Sequence, residues 1–212
     1  GHGFFNSATL TVGSSSETKT ACASPATPEI TKTFGNAVQH PGSPWNGTWD
    51  VTYTVTVHNT SADTGLVYSL SDTPDYATGV TINDATAEFG GAPVGDAWNG
   101  TVIANMATNQ SLAAGATDTY TVTVNITVAD TVTGDALTCA QTPTPDRGLY
   151  NKATATSGDD TYDAVDCGEI PNPPQATVAK TVTSATQNAD GTWTVVYDLS
   201  VINTQPTLYA PY

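Results

Sequence analysis

The sequence predicts an all-β chain built from two-sheet, immunoglobulin-like β-sandwich repeats in tandem. Three observations point there. "VTYTVTV" (51–57) and "YTVTVNITV" (120–128) alternate apolar residues with polar ones, mostly threonine, as strands do when one face is buried and the other is wet. Gly, Pro, Asn and Asp clusters break the chain into short strands, and no segment of useful length follows a 3.6-residue period. Finally, long stretches of sequence recur at a fixed offset.

Taken in chain order, strands are expected near 30–35, 51–57, 65–72, 77–82, 101–106, 120–128 and 149–156. Trp49 should pack at the start of the 48–58 strand, and Trp193 repeats its position. Trp45 and Trp98 fall in loops, where a tryptophan either anchors the loop or offers a flat face to a carbohydrate.

The recurrence organises the rest. "GFFNSATLTVG" (3–13) matches "GLYNKATATSG" (148–158), and "NGTWDVTYTVTVHNT" (46–60) matches "DGTWTVVYDLSVINT" (190–204). Upstream of the second pair, "ITKT" (30–33) matches "VAKT" (178–181). All offsets lie between 144 and 148 residues. The expected organisation has three parts. Residues 1–25 are the C-terminal strands of a preceding repeat, 29–170 one complete sandwich, and 176–212 the N-terminal strands of a following repeat. The Pro-rich joints "ASPATP" (23–28) and "GEIPNPPQA" (168–176) stiffen the links. The whole reads as a window from a long tandem array.

Composition bounds the function. Five basic residues stand against twenty acidic ones, a formal charge of −15. Such a chain is repelled by nucleic acid and by anionic membrane surfaces. It has no apolar run of about 18 residues to span a bilayer. Charged residues are only 12% of the total, so this is no disordered acidic tail.

Three cysteines fit the repeat. Cys139 and Cys167 flank the "GLYN" strand within the complete repeat. Cys22 is the equivalent of Cys167, and no counterpart of Cys139 precedes it in this sequence. A Cys139–Cys167 disulfide with an orphaned Cys22 is expected. It would contribute roughly 3 kcal/mol in the chain-entropy model and implies an oxidising, extracellular setting. Three free thiols in a reducing compartment are the alternative.

Face parity exposes an oddity in "PEITKTF" (28–34). Ile30, Lys32 and Phe34 share a strand face, so a lysine sits in an apolar stripe. Val178, Lys180 and Val182 repeat the pattern. In "LYNKATA" the stripe is Leu149, Asn151, Ala153 and Ala155; in "FFNSATLTV" it contains Asn6. In "LVYSLSD" Leu66, Tyr68 and Leu70 lead to Asp72. A desolvated lysine loses its proton readily and becomes a nucleophile. A carboxyl kept neutral by burial donates a hydrogen bond and shuttles protons. Together with an asparagine amide, these groups could form a Lys32–Asn151 isopeptide bond, with Asp72 as promoter and ammonia released. The alternative is a buried Lys32–Asp72 ion pair to which Asn151 hydrogen-bonds. Asn6, Cys22 and Lys180 are the unpaired repeat equivalents.

Through "ITKT", "GTWDVTYTVTVHNT", "YSLSDTP" (68–74) and "GLYNKAT", the sequence resembles the tandem immunoglobulin-like or prealbumin-like stalk domains of Gram-positive, sortase-anchored adhesins and pilins. The resemblance implies Lys–Asn isopeptide bonds promoted by an acidic residue, here mapping onto Lys32, Asn151 and Asp72. It also implies a wall-attached or fibre location.

The expected function is a structural stalk or spacer repeat of a surface adhesin or fibre, stabilised by internal crosslinks. Its partners are neighbouring repeats, other copies of itself, or a host or environmental surface ligand. Two alternatives remain open: a self-assembling filament or surface-layer subunit, and a glycan- or protein-binding module using Trp45 or Trp98. No nucleophile elbow, phosphate loop or carboxylate pair suggests turnover of an external substrate, so any chemistry is autocatalytic. No cofactor is expected. The one weak metal candidate is calcium at Asp159, Asp160, Asp163 and Asp166, an acidic cluster without EF-hand spacing; the alternative reading of 157–169 is a solvated loop. Sequons occur at Asn46, Asn59, Asn99, Asn109 and Asn125.

Overall fold

The computed structural model describes residues 3–40, 47–94, 98–102, 104–129, 131–170 and 176–204. Trp45, the Asn46 sequon and residues 205–212 lie outside them. Thirteen strands appear among the described residues. A hairpin of β1 (Phe4–Val12) and β2 (Ser15–Ala23) comes first. The central body follows: β3 (Pro28–Gln39), β4 (Thr48–Asn59), β5 (Leu66–Pro74), β6 (Val80–Phe89), β7 (Ala92–Pro93), β8 (Asn105–Leu112), β9 (Thr117–Val128), β10 (Leu149–Ser157) and β11 (Asp160–Gly168). A second hairpin, β12 (Ala176–Gln187) and β13 (Trp193–Asn203), follows. Apart from one short 3-10 turn at Gly134–Leu137, the regular structure of the described residues is all-β, and the central body is a β-sandwich.

One sheet has the order β3-β4-β9-β6-β7 and the other β11-β10-β5-β8. Alternation decides what lies between them. In β4, Trp49, Val51, Tyr53, Val55 and Val57 are all buried while the residues between them stay at least partly open. In β9, Tyr120, Val122, Val124 and Ile126 do the same. Leu66, Tyr68 and Leu70 of β5 and Leu149, Ala153 and Ala155 of β10 face them from the second sheet. At one end of this core, Tyr68 donates to Asp118 at 2.7 Å and its hydroxyl lies 2.7 Å from that of Tyr120. Two large phenols are thereby buried without orphaning their oxygens.

Several expectations from sequence shift here. The strand expected at 77–82 starts at Val80 and runs to Phe89. The one expected at 101–106 starts only at Asn105. The acidic segment 157–169 is a paired strand, and β10 is therefore followed by one more strand before the sandwich ends. Its threonines and aspartates hid an alternating pattern with little apolar content.

The two outer hairpins reproduce the central registers. Phe5 faces Cys22 in β1–β2 as Tyr150 faces Cys167 in β10–β11. Lys180 faces Leu199 as Lys32 faces Val55, and a register shift follows soon after each lysine. The apolar residues of these hairpins are exposed, among them Phe4, Leu10, Val182, Trp193 and Leu199. Trp193 thus recurs in sequence but lacks the packing that buries Trp49.

The Asn59 sequon is a structural element. Its side chain is fully buried, donating to the carbonyls of Thr64, Leu112 and Ala113 at 2.9, 3.3 and 3.0 Å and accepting the N–H of Ser61 at 3.0 Å. It ties the end of β4 to the two loops beside it. Asn59→Ala should therefore cost about 2–3 kcal/mol in urea unfolding, since several buried backbone groups lose their partner at once. Expression in a glycosylating host should leave Asn59 unmodified, as peptide mass mapping would show.

Candidate functional site

β3 is the edge strand of one sheet, β10 and β5 lie inside the other, and all three turn a polar side chain into the space between the sheets. Lys32 is 7% exposed; Asp72 and Asn151 are 0% exposed. Nζ of Lys32 donates to Oδ2 of Asp72, with both side chains wholly out of solvent. Nδ2 of Asn151 donates to Oδ1 of Asp72 at 2.9 Å. Asp72 is thus the hub, one oxygen on each partner. Oδ1 of Asn151 has no hydrogen-bond partner although it is buried, an unusual and costly state for an amide oxygen.

The surroundings are apolar and aromatic. The Tyr53 ring lies 4.8 Å below Nζ of Lys32, and Phe34 packs edge-on against Tyr53 with centroids 5.6 Å apart. Tyr53 donates its hydroxyl to the carbonyl of Leu149 at 2.5 Å, bracing β10 two residues before Asn151. The Trp98 indole N–H donates to the carbonyl of Asp72 at 3.0 Å, and the N–H of Asp72 reaches the carbonyl of Ala104 at 2.8 Å. Trp98 is 3% exposed. It anchors its loop over the hub, so its buried ring offers no face to a glycan.

Burial sets the protonation tendencies. It pushes the Lys32 amine below the usual lysine range, opposed mainly by the charge and hydrogen bond of Asp72. It pushes the Asp72 carboxyl above the usual range, opposed by Lys32 and then by the hydrogen bond from Asn151. Each group is thus driven toward its neutral form, and desolvation is the largest cause for both. A single proton on the pair can reside on either member. With the proton on Asp72, Lys32 is a free amine beside a carboxylic acid.

A disulfide joins Cys139 to Cys167 across 28 residues, and Cys22 is a free, exposed thiol. Gly148 beside the bridge has φ +53°, and an added Cβ would lie 2.7 Å from the carbonyl oxygen of Gly168 and 2.9 Å from Sγ of Cys167. Only glycine fits there without displacing the bridge. Asn6 is exposed, and Lys180 is exposed with Nζ 4.2 Å over the Tyr197 ring.

The acidic cluster does not assemble into a cation site. Strand alternation turns Asp163 and Asp166 to opposite faces of β11. Asp163 meets Lys152 at 3.5 Å and Thr154 at 2.7 Å. Asp166 accepts the backbone N–H groups of Phe34 and Cys167. Asp159 sits in the β10–β11 turn and Asp160 begins β11, both exposed. Among the described residues no group of three His, Cys, Asp or Glu side chains could hold a metal. The role of Asp166 escaped sequence reasoning, because its partner Phe34 is 132 residues away.

These features define a class: a β-sandwich whose two sheets are bridged through the core by a Lys–Asp–Asn cluster and tied near the end of β11 by a disulfide. No family model and no curated protein matches the chain. Among solved structures it is similar to the pilus backbone protein RrgB of Streptococcus pneumoniae. One RrgB structure is 12% identical with a TM-score of 0.33, covering 84% of this chain and 47% of that one. The full-length structure is 13% identical with a TM-score of 0.34, covering 89% of this chain and 35% of that one. The chain thus spans less than half the length of each, and likeness at this level carries no functional argument.

The cluster should behave as a unit. In an Asn151→Ala chain, adding Asp72→Ala should cost about a further 3–5 kcal/mol, because the buried Lys32 amine loses its carboxylate partner and must give up its proton or stay unpaired. The double replacement Lys32→Met, Asp72→Leu should recover most of that loss, as denaturant unfolding would show.

Proposed function

We propose that this chain is part of a structural stalk, a rod of β-sandwich repeats in an extracellular or wall-attached fibre, and that its central repeat crosslinks itself. The observation that carries the reading is the buried Lys32–Asp72–Asn151 cluster spanning the two sheets. The reaction needs no outside reagent. Lys32 Nζ, as the free amine, attacks Cγ of Asn151, forming a C–N bond. The amide turns so that its oxygen faces the protonated carboxyl of Asp72, which polarises the carbonyl. The Cγ–Nδ2 bond then breaks. Asp72 relays the proton given up by Nζ to the departing nitrogen, which leaves as ammonia. Asp72 ends as it began, and the chain is lighter by one ammonia. The event occurs once per repeat and is self-processing rather than turnover.

Mechanics support the reading. A Lys32–Asn151 bond closes residues 33–150 into a loop that tension along the chain cannot unravel. Residue 151 itself lies within the 139–167 disulfide loop, so little chain beyond the crosslink remains extensible. The reading places residues 1–25 and 176–212 in neighbouring repeats, whose hairpin registers match the central ones. Asn6, Cys22 and Lys180 would hold the equivalent positions there. A second reading, self-assembly into a filament, is favoured by the exposed apolar residues of the outer hairpins. A clean monomer in size-exclusion chromatography at high concentration would argue against it.

Intact mass tests the crosslink. After disulfide reduction the wild-type chain should lack one ammonia relative to its sequence, whereas Lys32→Ala, Asn151→Ala and Asp72→Ala chains should have full mass. Full mass in the wild type would sink the covalent reading. Formation should slow as pH falls through the lowered Lys32 range, because protonation removes the nucleophile. In single-molecule pulling the wild-type repeat should extend by only its short ends, while Asn151→Ala should release the chain up to the disulfide at Cys139.

A further inference from the structure

β3 and β11 are edge strands of different sheets and share no backbone ladder. Something else must close the seam between them, and Lys32 lies on that seam. Just beyond Phe34 the pairing of β3 with β4 shifts, and the Phe34 N–H donates to Oδ2 of Asp166 at 2.6 Å. The other oxygen, Oδ1, accepts the N–H of Cys167 at 2.8 Å. One carboxylate therefore grips β3 two residues beyond Lys32 while held to its own strand beside the disulfide. Asp166 is also the β11 residue directly opposite Asn151 in the β10–β11 ladder. The seam is tight: a Cβ on Gly168 would collide with the Phe34 ring.

We infer that Asp166 is a positioning residue: it clamps β3 onto β11 and thereby sets the Lys32 amine against the Asn151 amide. The inference builds on the crosslink reading above. Asp166 touches neither reacting atom; it acts through the placement of β3. It also faces Lys32 electrostatically. The groups around the amine are Asp72 from β5, the Tyr53 ring from β4 and Asp166 from β11, and the Asp166 charge favours the ammonium. Asparagine at 166 keeps the shape, but its NH2 would confront one of the two N–H donors, and the charge is gone. Alanine loses both grips.

Two measurements test this. Chains recovered unfolded from inclusion bodies, before any bond has formed, are refolded, and ammonia loss is followed by mass for wild type, Asp166→Asn, Asp166→Ala and, as a control on the other face of β11, Asp163→Asn. Both Asp166 variants should crosslink at least about tenfold more slowly, the scale of effect a small misplacement of reacting groups produces, while Asp163→Asn should match wild type. In an Asn151→Ala background, where no bond can form, NMR titration of Lys32 should move to lower pH on Asp166→Asn. This readout holds even if Asp166→Ala folds poorly, and a general loss of stability would not produce it. An unchanged rate or an unmoved titration overturns the inference. If the wild-type chain shows no ammonia loss, the crosslink reading falls, and the titration alone then decides whether Asp166 holds β3 against Lys32.

Discussion

Three polar side chains in an apolar interior must satisfy one another, and this constraint shapes the sandwich around them. Water cannot reach Lys32, Asp72 or Asn151, so every hydrogen bond they make must come from the protein. That requirement fixes β3 relative to β5 and β10, strands that belong to different sheets. An apolar core of the same shape would tolerate a small slide of one sheet over the other. A lysine that must reach one carboxylate oxygen does not. Tyr53 below the amine, Trp98 over the backbone of Asp72 and Asp166 at the seam all serve the same placement.

As a simple ion pair the cluster would be a poor source of stability, because desolvating two charges offsets much of their attraction. The unpaired Oδ1 of Asn151 makes that arrangement poorer still. Both costs gain a purpose if the cluster is a reaction site. The burial that makes the ions expensive drives Lys32 and Asp72 toward the neutral amine and acid that the chemistry needs. The disulfide would complement the proposed bond in topology: a Lys32–Asn151 crosslink would join the start of the sandwich to β10, and Cys139–Cys167 secures the stretch around β10 and the end of β11.

Much of this could be read from residue order. The inward orientation of Lys32, Asp72 and Asn151 follows from strand parity alone, because each sits at even spacing from apolar neighbours. The disulfide partner of Cys167 followed from the position of Cys22 in the repeat. What escaped needed three dimensions. β11 was hidden by its aspartates and threonines, which look like a solvated loop until one face is seen against β10. Asp166 resembled a calcium ligand because its neighbours are acidic, yet its oxygens are spent on backbone N–H groups. Asn59 lay in a sequon and turned out to be a core residue. Trp98 could anchor or display, and only its burial decides.

In the proposed stalk repeat Lys32 and Asn151 become one covalent unit. The most direct test of that bond is peptide mapping of the folded, reduced chain by tandem mass spectrometry. The expected product is a branched peptide in which the segment containing Lys32 is joined through Nζ to the segment containing Asn151, with one ammonia missing at the junction. Recovery of both segments as separate, unmodified linear peptides in full yield would contradict it.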